Sequence, residues 1–219
     1  MTESTASTGI VSSAVSVDAV VLRVSEEGTA ILVHRRGAEP FTGEWALPGV
    51  LLGAGERISD AAIRAAGKAG VTAAEVTGVG QLVVFDEPHR DPRGPTLSIS
   101  AWVAVGEHRA SEAGASAAGE ESERWVEWDA LPPLAFDHAR ILADVRPVLA
   151  EKLWRDLTFT ASLLGREFSV RTALAVTASL TGDDVDRGNL NRTLKRIAVR
   201  SDVPGPSGVG RPGAMWTWP

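Results

Sequence analysis

The sequence predicts an α/β sandwich followed by a winged helix-turn-helix, an α+β arrangement in two parts. Three observations carry this reading. Val-rich, partly alternating stretches and an Ala-rich amphipathic stretch are interleaved through residues 15–135. The tail then changes rhythm, to short capped helices closed by a Gly/Pro-rich segment. The sign of the charge changes with it: up to Leu163 the chain carries 14 Lys/Arg against 23 Asp/Glu, and beyond it 8 against 5.

Taken in order, residues 1–14 are Ser/Thr/Ala-rich and read as a disordered leader. Val15 to Val24 and Thr29 to Arg36 form a β-hairpin around Glu26-Glu27-Gly28. Ser59 to Lys68 is helical, with Ser59 or Asp60 near the N-cap. Val79 to Phe85 and Thr96 to Val105 are strands flanking the polar, Pro-rich loop Asp86 to Gly94. Glu107 to Ser122 is an acidic linker loop of small residues, and Arg124 to Trp128 is a further strand. Phe136 to Trp154 is a long helix with Ile141, Leu142, Val145, Val148, Leu149 and Leu153 on one stripe; Pro147 inside it should kink or split it. Residues 136–155 thus connect a first domain at 15–135 to a second at 156–219.

In the tail, Thr158 to Leu164 is a short helix. Ser169 caps a second, which Gly182-Asp183-Asp184 ends, and Asp186 caps a third running from Arg187 to Val199. Pro204 to Gly208 is a turn that leads into the segment Gly210 to Trp218, and together these make the wing.

Composition narrows the classes. A chain of 219 residues, 44% hydrophobic and 23% charged, is long enough for one large or two small domains. No apolar run approaches a membrane span, and the N-terminus has no basic region followed by an apolar core. Cys is absent, which rules out disulfides and thiolate zinc sites and fits a reducing cytoplasm. The net charge of −6 argues against nucleic acid only superficially, since the tail is basic by +3 (8 minus 5) on an acidic body. Local charge sets where a polyanion docks.

The most informative segment is Leu47 to Val71, LPGVLLGAGERISDAAIRAAGKAGV. Gly55-Glu56, a seven-residue spacer and Arg64 follow the spacing of the Nudix box, G-x5-E-x7-R-E-U-x-E-E-x-G-U. Such a box groups glutamates on one helix face, where they hold hard divalent cations that bridge to phosphates. Here Arg64 is followed by Ala65, Ala66, Gly67, Lys68, Ala69, Gly70 and Val71. Aligned from Arg64, the acidic positions fall on Ala65, Lys68 and Ala69; aligned back from Gly70-Val71, they fall on Gly67 and Lys68. Neither alignment recovers a carboxylate, and Lys68 puts a positive charge where the metal should sit. The alternative reading is an ordinary Ala-rich helix after a Gly-rich turn.

The whole chain resembles the Nudix-related transcriptional regulators of NAD metabolism, the NrtR type. Glu44-Trp45-Ala46-Leu47-Pro48-Gly49 is similar to that family's GxWALPGG segment, with Val50 in place of the second Gly. Arg90 to Gly94 matches its RDPRG loop and Phe136 to Ala139 its FDHA helix start. Glu167-Phe168-Ser169, Asn189-Leu190-Asn191-Arg192 and Gly210-Arg211-Pro212 with Trp216 resemble its helix-turn-helix and closing signatures. The resemblance implies a Nudix-like α/β/α sandwich that senses ADP-ribose or a related NAD-derived nucleotide without hydrolysing it. It also implies a C-terminal winged helix-turn-helix that binds a pseudo-palindromic operator as a homodimer. No metal and no catalytic residue is expected.

The candidate ligand-binding residues are Arg35, Arg36, Trp45, Gly49, Glu56, Phe85, Arg90 and Arg93. Arg35 or Arg36 grips a phosphate or ribose, or else is a solvated strand end. Glu56 binds metal or a ligand hydroxyl, or holds the loop–helix turn through backbone N–H groups. Phe85 stacks on an adenine or belongs to the core. Arg90 and Arg93 contact a diphosphate or pair with Asp86 and Asp91. His138 reads as a cap or an interdomain contact. The candidate DNA-binding residues are Arg187, Asn189, Asn191, Arg192, Lys195 and Arg196 on the third tail helix and Arg211 in the wing. Trp216 and Trp218 pack the wing. Three functions compete: a ligand-responsive transcription factor, an active Nudix hydrolase using acids outside the box, and an adaptor built on an inactive Nudix fold. The basic Asn/Arg helix favours the first over the third, and the missing glutamates disfavour the second.

Overall fold

A computed structural model describes residues 12–106, 122–202 and 215–219. Seven strands form one mixed sheet: β1 (Ala14–Ser25), β2 (Gly28–Arg35), β3 (Trp45–Ala46), β4 (Gly49–Leu51), β5 (Val76–Phe85), β6 (Thr96–Val105) and β7 (Glu123–Glu127). The path is β3-β2-β1-β6-β5, with β4 pairing β1 and β7 pairing β2. Among the strand pairs of the described residues the central β1–β6 pair is parallel, in register from Ala14 opposite Thr96 to Leu22 opposite Ala104, and the others are antiparallel. The expected hairpin is present, with Ser25 opposite Gly28.

Strand β1 is buried on both faces, which explains why its alternation in the sequence is only partial. Val17, Ala19 and Val21 face α1 (Ile58–Lys68), whose buried side is Ala61, Ala62, Ala65 and Ala66. Small side chains let this helix lie close to the sheet. Val20 and Leu22 face the other way, toward α2 (His138–Lys152) and the tail. The sheet is thus covered on both sides, the α/β/α sandwich that the sequence predicts.

Several helix boundaries differ from expectation. The N-cap of α1 is Arg57, which makes no side-chain cap, so Ser59 and Asp60 fall inside the first turn. Asp60 there still suits the positive end of the helix dipole. Helix α2 begins two residues after Phe136, which has φ 54, and runs through Pro147 without splitting. Proline removes one backbone bond; the buried stripe Ile141, Leu142, Val145 and Leu149 holds the helix on the sheet across that gap.

The tail comprises α3 (Leu157–Leu164), β8 (Glu167–Ser169), α4 (Val170–Thr181), α5 (Arg187–Ile197), β9 (Val199–Arg200) and β10 (Met215–Thr217). Its small sheet has the order β8-β10-β9. The caps are those expected: Ser169 accepts from Thr172 N, Asp186 accepts from Asn189 N, and Gly182 ends α4 in the left-handed region at φ 74. Helix α5 ends at Ile197 rather than Val199, where β9 begins. The turn Pro204 to Gly208 and Arg211 lie outside the described residues, as does the linker 107–121.

The tail shares a core with the sheet. Phe159, Leu163, Phe168, Val170, Val176 and Leu180 pack in the same cluster as Val20, Leu22, Ile31, Val33 and Trp102. No helix among the described residues is long and apolar enough to cross a membrane.

Candidate functional site

The box loop is organised by Glu56. One of its oxygens accepts from Gly53 N at 2.7 Å and from Arg64 Nη2 at 2.7 Å, and the other from Arg64 Nε at 2.8 Å. Arg64 Nη2 also donates to Leu51 O at 2.9 Å, tying α1 to β4. The bidentate guanidinium and the Gly53 N–H hold the Glu56 carboxyl down at about 2. Of the two readings of Glu56, the backbone clasp is the one the geometry displays.

The family's divalent cation does not fit these residues. Both Glu56 oxygens are engaged, and Asp60 is the only acid on α1, in its first turn. Among the described residues no group of three His, Cys, Asp or Glu side chains is placed to share a metal.

The remaining ligand candidates divide into three groups. Arg36 anchors its Nε to Pro40 O at 2.7 Å and Nη2 to Ala38 O at 3.1 Å, and its guanidinium lies 4.6 Å from the centre of the Phe136 ring. Arg93 approaches the same ring at 5.8 Å, and Phe41 meets it edge-on at 4.8 Å. Burial and the neighbouring Arg93 charge both lower the Arg36 pKa. Two like charges over one ring are unfavourable alone and stabilised by an anion. Phe41, His89 and Phe136 all have φ between 54 and 66, a conformation that non-Gly residues hold at a cost.

In the second group, Trp45 is 7% exposed and two guanidiniums approach its ring, Arg35 at 4.5 Å and Arg124 at 5.1 Å. Arg35 Nη1 donates to Gly43 O at 2.6 Å. Trp45 therefore arranges cations and offers no open stacking face. Phe85 is buried at 4% in the core shared with α2, the second of the two readings given for it.

The third group is a buried polar network. The Arg90 side chain is 5% exposed and pairs with Asp137 through Nη2 at 2.7 Å and Nε at 3.0 Å, and with Asp18 at 3.4 Å. The expected partner Asp86 is not used; Asp91 pairs with Arg93 instead, at 2.7 Å. Asp18 is 5% exposed and also accepts from the hydroxyls of Ser16 and Ser98. A Cβ at Gly49 would collide with the Asp18 carboxylate, so glycine is required there. His138 Nδ1 accepts from Leu47 N at 2.9 Å while Nε2 lies 3.7 Å from Asp18, an arrangement of the neutral ring. Burial is the main cause that lowers the His138 pKa. Asp18 and Asp137 were absent from the candidate set. The signal for Asp18 was a lone acid within an apolar strand.

The tail presents a different surface. Leu190 and Leu194 anchor α5 in the core, and Arg187, Asn189, Arg192, Lys195 and Arg196 are exposed, with Asn191 half-buried. Asn189 Oδ1 accepts from Arg192 Nη2, which orients that guanidinium. No acid lies on α5 itself. Arg200, exposed on β9 with its guanidinium 5.9 Å from the Trp216 ring, is a further cation of the tail that was not anticipated. Trp216 is 3% exposed, and Trp218 donates to Gly165 O at 2.8 Å, so both pack the small sheet.

An ADP-ribose pyrophosphatase of Methanocaldococcus jannaschii is 34% identical over 133 residues, 60% of this chain and 72% of that protein. The structure of Shewanella oneidensis NrtR complexed with a 27mer DNA superposes with a TM-score of 0.73 at 20% identity, covering 94% of this chain and 93% of that one. The NUDIX domain of the same protein complexed with ADP ribose covers 64% of this chain and 90% of its own at 22% identity, with a TM-score of 0.50. The α/β/α sandwich and the tail that packs on it therefore share the fold of Shewanella oneidensis NrtR. Residues 13–145, which hold the sheet, the box and the Arg90 network, match the NUDIX domain model, and the chain belongs to the NUDIX domain family.

Proposed function

We propose that this protein is a DNA-binding transcriptional regulator, a repressor of NAD metabolism genes, that senses ADP-ribose or a related NAD-derived nucleotide through a Nudix domain that does not hydrolyse it. The observation that carries the reading is the pairing of two features in one chain. The box carboxylate is consumed by Arg64, and the tail exposes a basic, acid-free helix. The likeness to an NrtR fold bound to a 27mer DNA supports it.

In this reading the nucleotide lies against Arg36, Arg93 and the loop carrying Phe136. Guanidiniums there take the role that a bridging cation plays in a hydrolase, neutralising phosphate without activating water. Arg192, Lys195 and Arg196 meet DNA in the major groove, with Asn189 and Asn191 at base edges and Arg211 on the backbone. One short helix makes few base contacts, so a homodimer on a pseudo-palindromic operator supplies the affinity. No metal or other cofactor is required for either step.

The 34% identity to an ADP-ribose pyrophosphatase favours one alternative, an active hydrolase on ADP-ribose or another nucleoside diphosphate derivative. A gel shift on the DNA upstream of the protein's own gene, with and without ADP-ribose, separates the two. A retarded band whose midpoint moves at least fivefold with ADP-ribose supports regulation. No retardation, together with AMP release, establishes the hydrolase.

A further inference from the structure

We infer that Ser179 and Thr29 are positioning residues for DNA reading: a partly buried hydrogen-bond latch between them sets where α5 stands relative to the ligand domain. This rests on the regulator reading above and adds the contact through which sensor and reader are joined.

Ser179 lies in the last turn of α4, three residues before the Gly182 cap that turns the chain toward α5. It is gripped at both ends. Thr29 Oγ1 and Ser179 Oγ are 2.6 Å apart, and Thr29 N donates to Ser179 Oγ at 3.2 Å. Trp128 Nε1 donates to Thr29 Oγ1 at 2.9 Å, within a buried site. One proton order satisfies every group: Trp128 gives to Thr29, Thr29 gives to Ser179, and Ser179 gives to Thr29 O at 3.4 Å. On the other side, Arg146 of α2 donates to Ser179 O through Nη2 at 2.7 Å and Nε at 3.2 Å, and pairs with Asp129 at 2.7 Å.

The backbone is shaped for this contact. Gly28 has φ 131, and a Cβ there would come within 2.9 Å of the Ser179 Cβ and 3.3 Å of Ala175 O. The hairpin between β1 and β2 thus seats α4 directly. Helix α2 spans about 22 Å at 1.5 Å per residue. It begins at Asp137 and His138, which hold Arg90 and the Leu47 N–H, and reaches Ser179 through Arg146. Apolar packing alone would hold α4 to the sheet in several alignments; a directional chain of hydrogen bonds selects one.

The test uses the full-length protein with Thr29→Val, which keeps the shape and removes the hydroxyl, and Thr29→Ser, which keeps the hydroxyl. Three quantities are read well below the melting temperature: DNA affinity by anisotropy, its change on adding ADP-ribose, and ADP-ribose affinity by calorimetry. Thr29→Val is expected to weaken DNA binding about tenfold and to shrink the ADP-ribose effect to within about twofold, with ADP-ribose affinity unchanged. Thr29→Ser restores the first two and leaves the third at the parent's value. If Thr29→Val does not fold, Ser179→Ala, which suits a helix interior, takes its place with the same expectation. Parental DNA affinity and ADP-ribose response in a folded hydroxyl-free variant overturn the inference. So does a parallel loss of DNA and ADP-ribose binding that Thr29→Ser fails to rescue, which marks a merely structural contact. If the unaltered protein itself does not bind DNA, the regulator reading fails first and the inference goes with it.

Discussion

Replacing Arg90 by Met should damage the fold far more than the ligand site. The Arg90 side chain is 5% exposed and balances Asp18 and Asp137, which are 7% and 15% exposed. Removing it leaves the buried Asp18 carboxylate and the partly buried Asp137 carboxylate without their cation. Asp18 retains the Ser16 and Ser98 hydroxyls, so the larger penalty falls on Asp137. Breaking one side of a buried ion pair typically costs about 3–5 kcal/mol. For a chain of this size each kcal/mol lowers the melting temperature by roughly 2–4 °C, so the expected fall is on the order of 10 °C. Arg93→Met is the contrast. That side chain is 54% exposed, and its pair with Asp91 is worth about 1 kcal/mol or less. Urea unfolding of the parent, both single variants and the Arg90→Met, Asp137→Asn double variant measures these costs. The double variant should recover part of the loss, since the orphaned charge is gone. A cost below about 1 kcal/mol for Arg90→Met, with the effect confined to ADP-ribose affinity, would refute the reasoning and return Arg90 to the ligand.

Other outcomes follow from the same geometry. With magnesium or manganese present, ADP-ribose should persist; AMP release at about 1 per second or faster contradicts the inactive box. ADP-ribose should raise the melting temperature by mass action, and no shift at millimolar ligand, by thermal shift or calorimetry, removes the binding reading. His138 has its pKa lowered by burial, so the unfolded chain binds the extra proton first. Its contribution to stability is whole above the unfolded value of 6.5 and is lost as pH falls toward the folded value. His34 shifts in the same direction, so the informative quantity is the difference between parent and His138→Asn. The variant should lose less stability between pH 7 and about pH 5; equal slopes would show that His138 is not held neutral.

Much of the fold was legible because it rests on local chemistry. The Val-rich hairpin, Ser169 and Asp186 as caps and Gly182 as terminator all follow from adjacent residues. Strands β3, β4 and β9 have two or three residues, too few to show a period. Ser59 and Asp60 are good capping residues that the Glu56–Arg64 clasp overrode by placing the N-cap at Arg57 and starting α1 at Ile58. The site was less legible because its partners are distant in sequence. Arg90 reaches Asp137 across 47 positions and Asp18 across 72, while the nearer Asp86 looked the obvious partner. Ser179 is 150 positions from Thr29, and neither residue carries a motif.

The central claim is that the exposed face of α5 reads DNA. It is tested most directly by titrating the promoter fragment with the parent and with the Arg192→Ala, Lys195→Ala, Arg196→Ala variant, at two salt concentrations, after circular dichroism shows both are folded. Each lost base contact costs about 1–3 kcal/mol, so the variant should bind at least tenfold more weakly. The parent's affinity should fall with salt more steeply than the variant's, because fewer counterions are released once the cations are gone. A folded variant that binds as tightly as the parent, with the same salt slope, would contradict the claim and favour a protein-binding role.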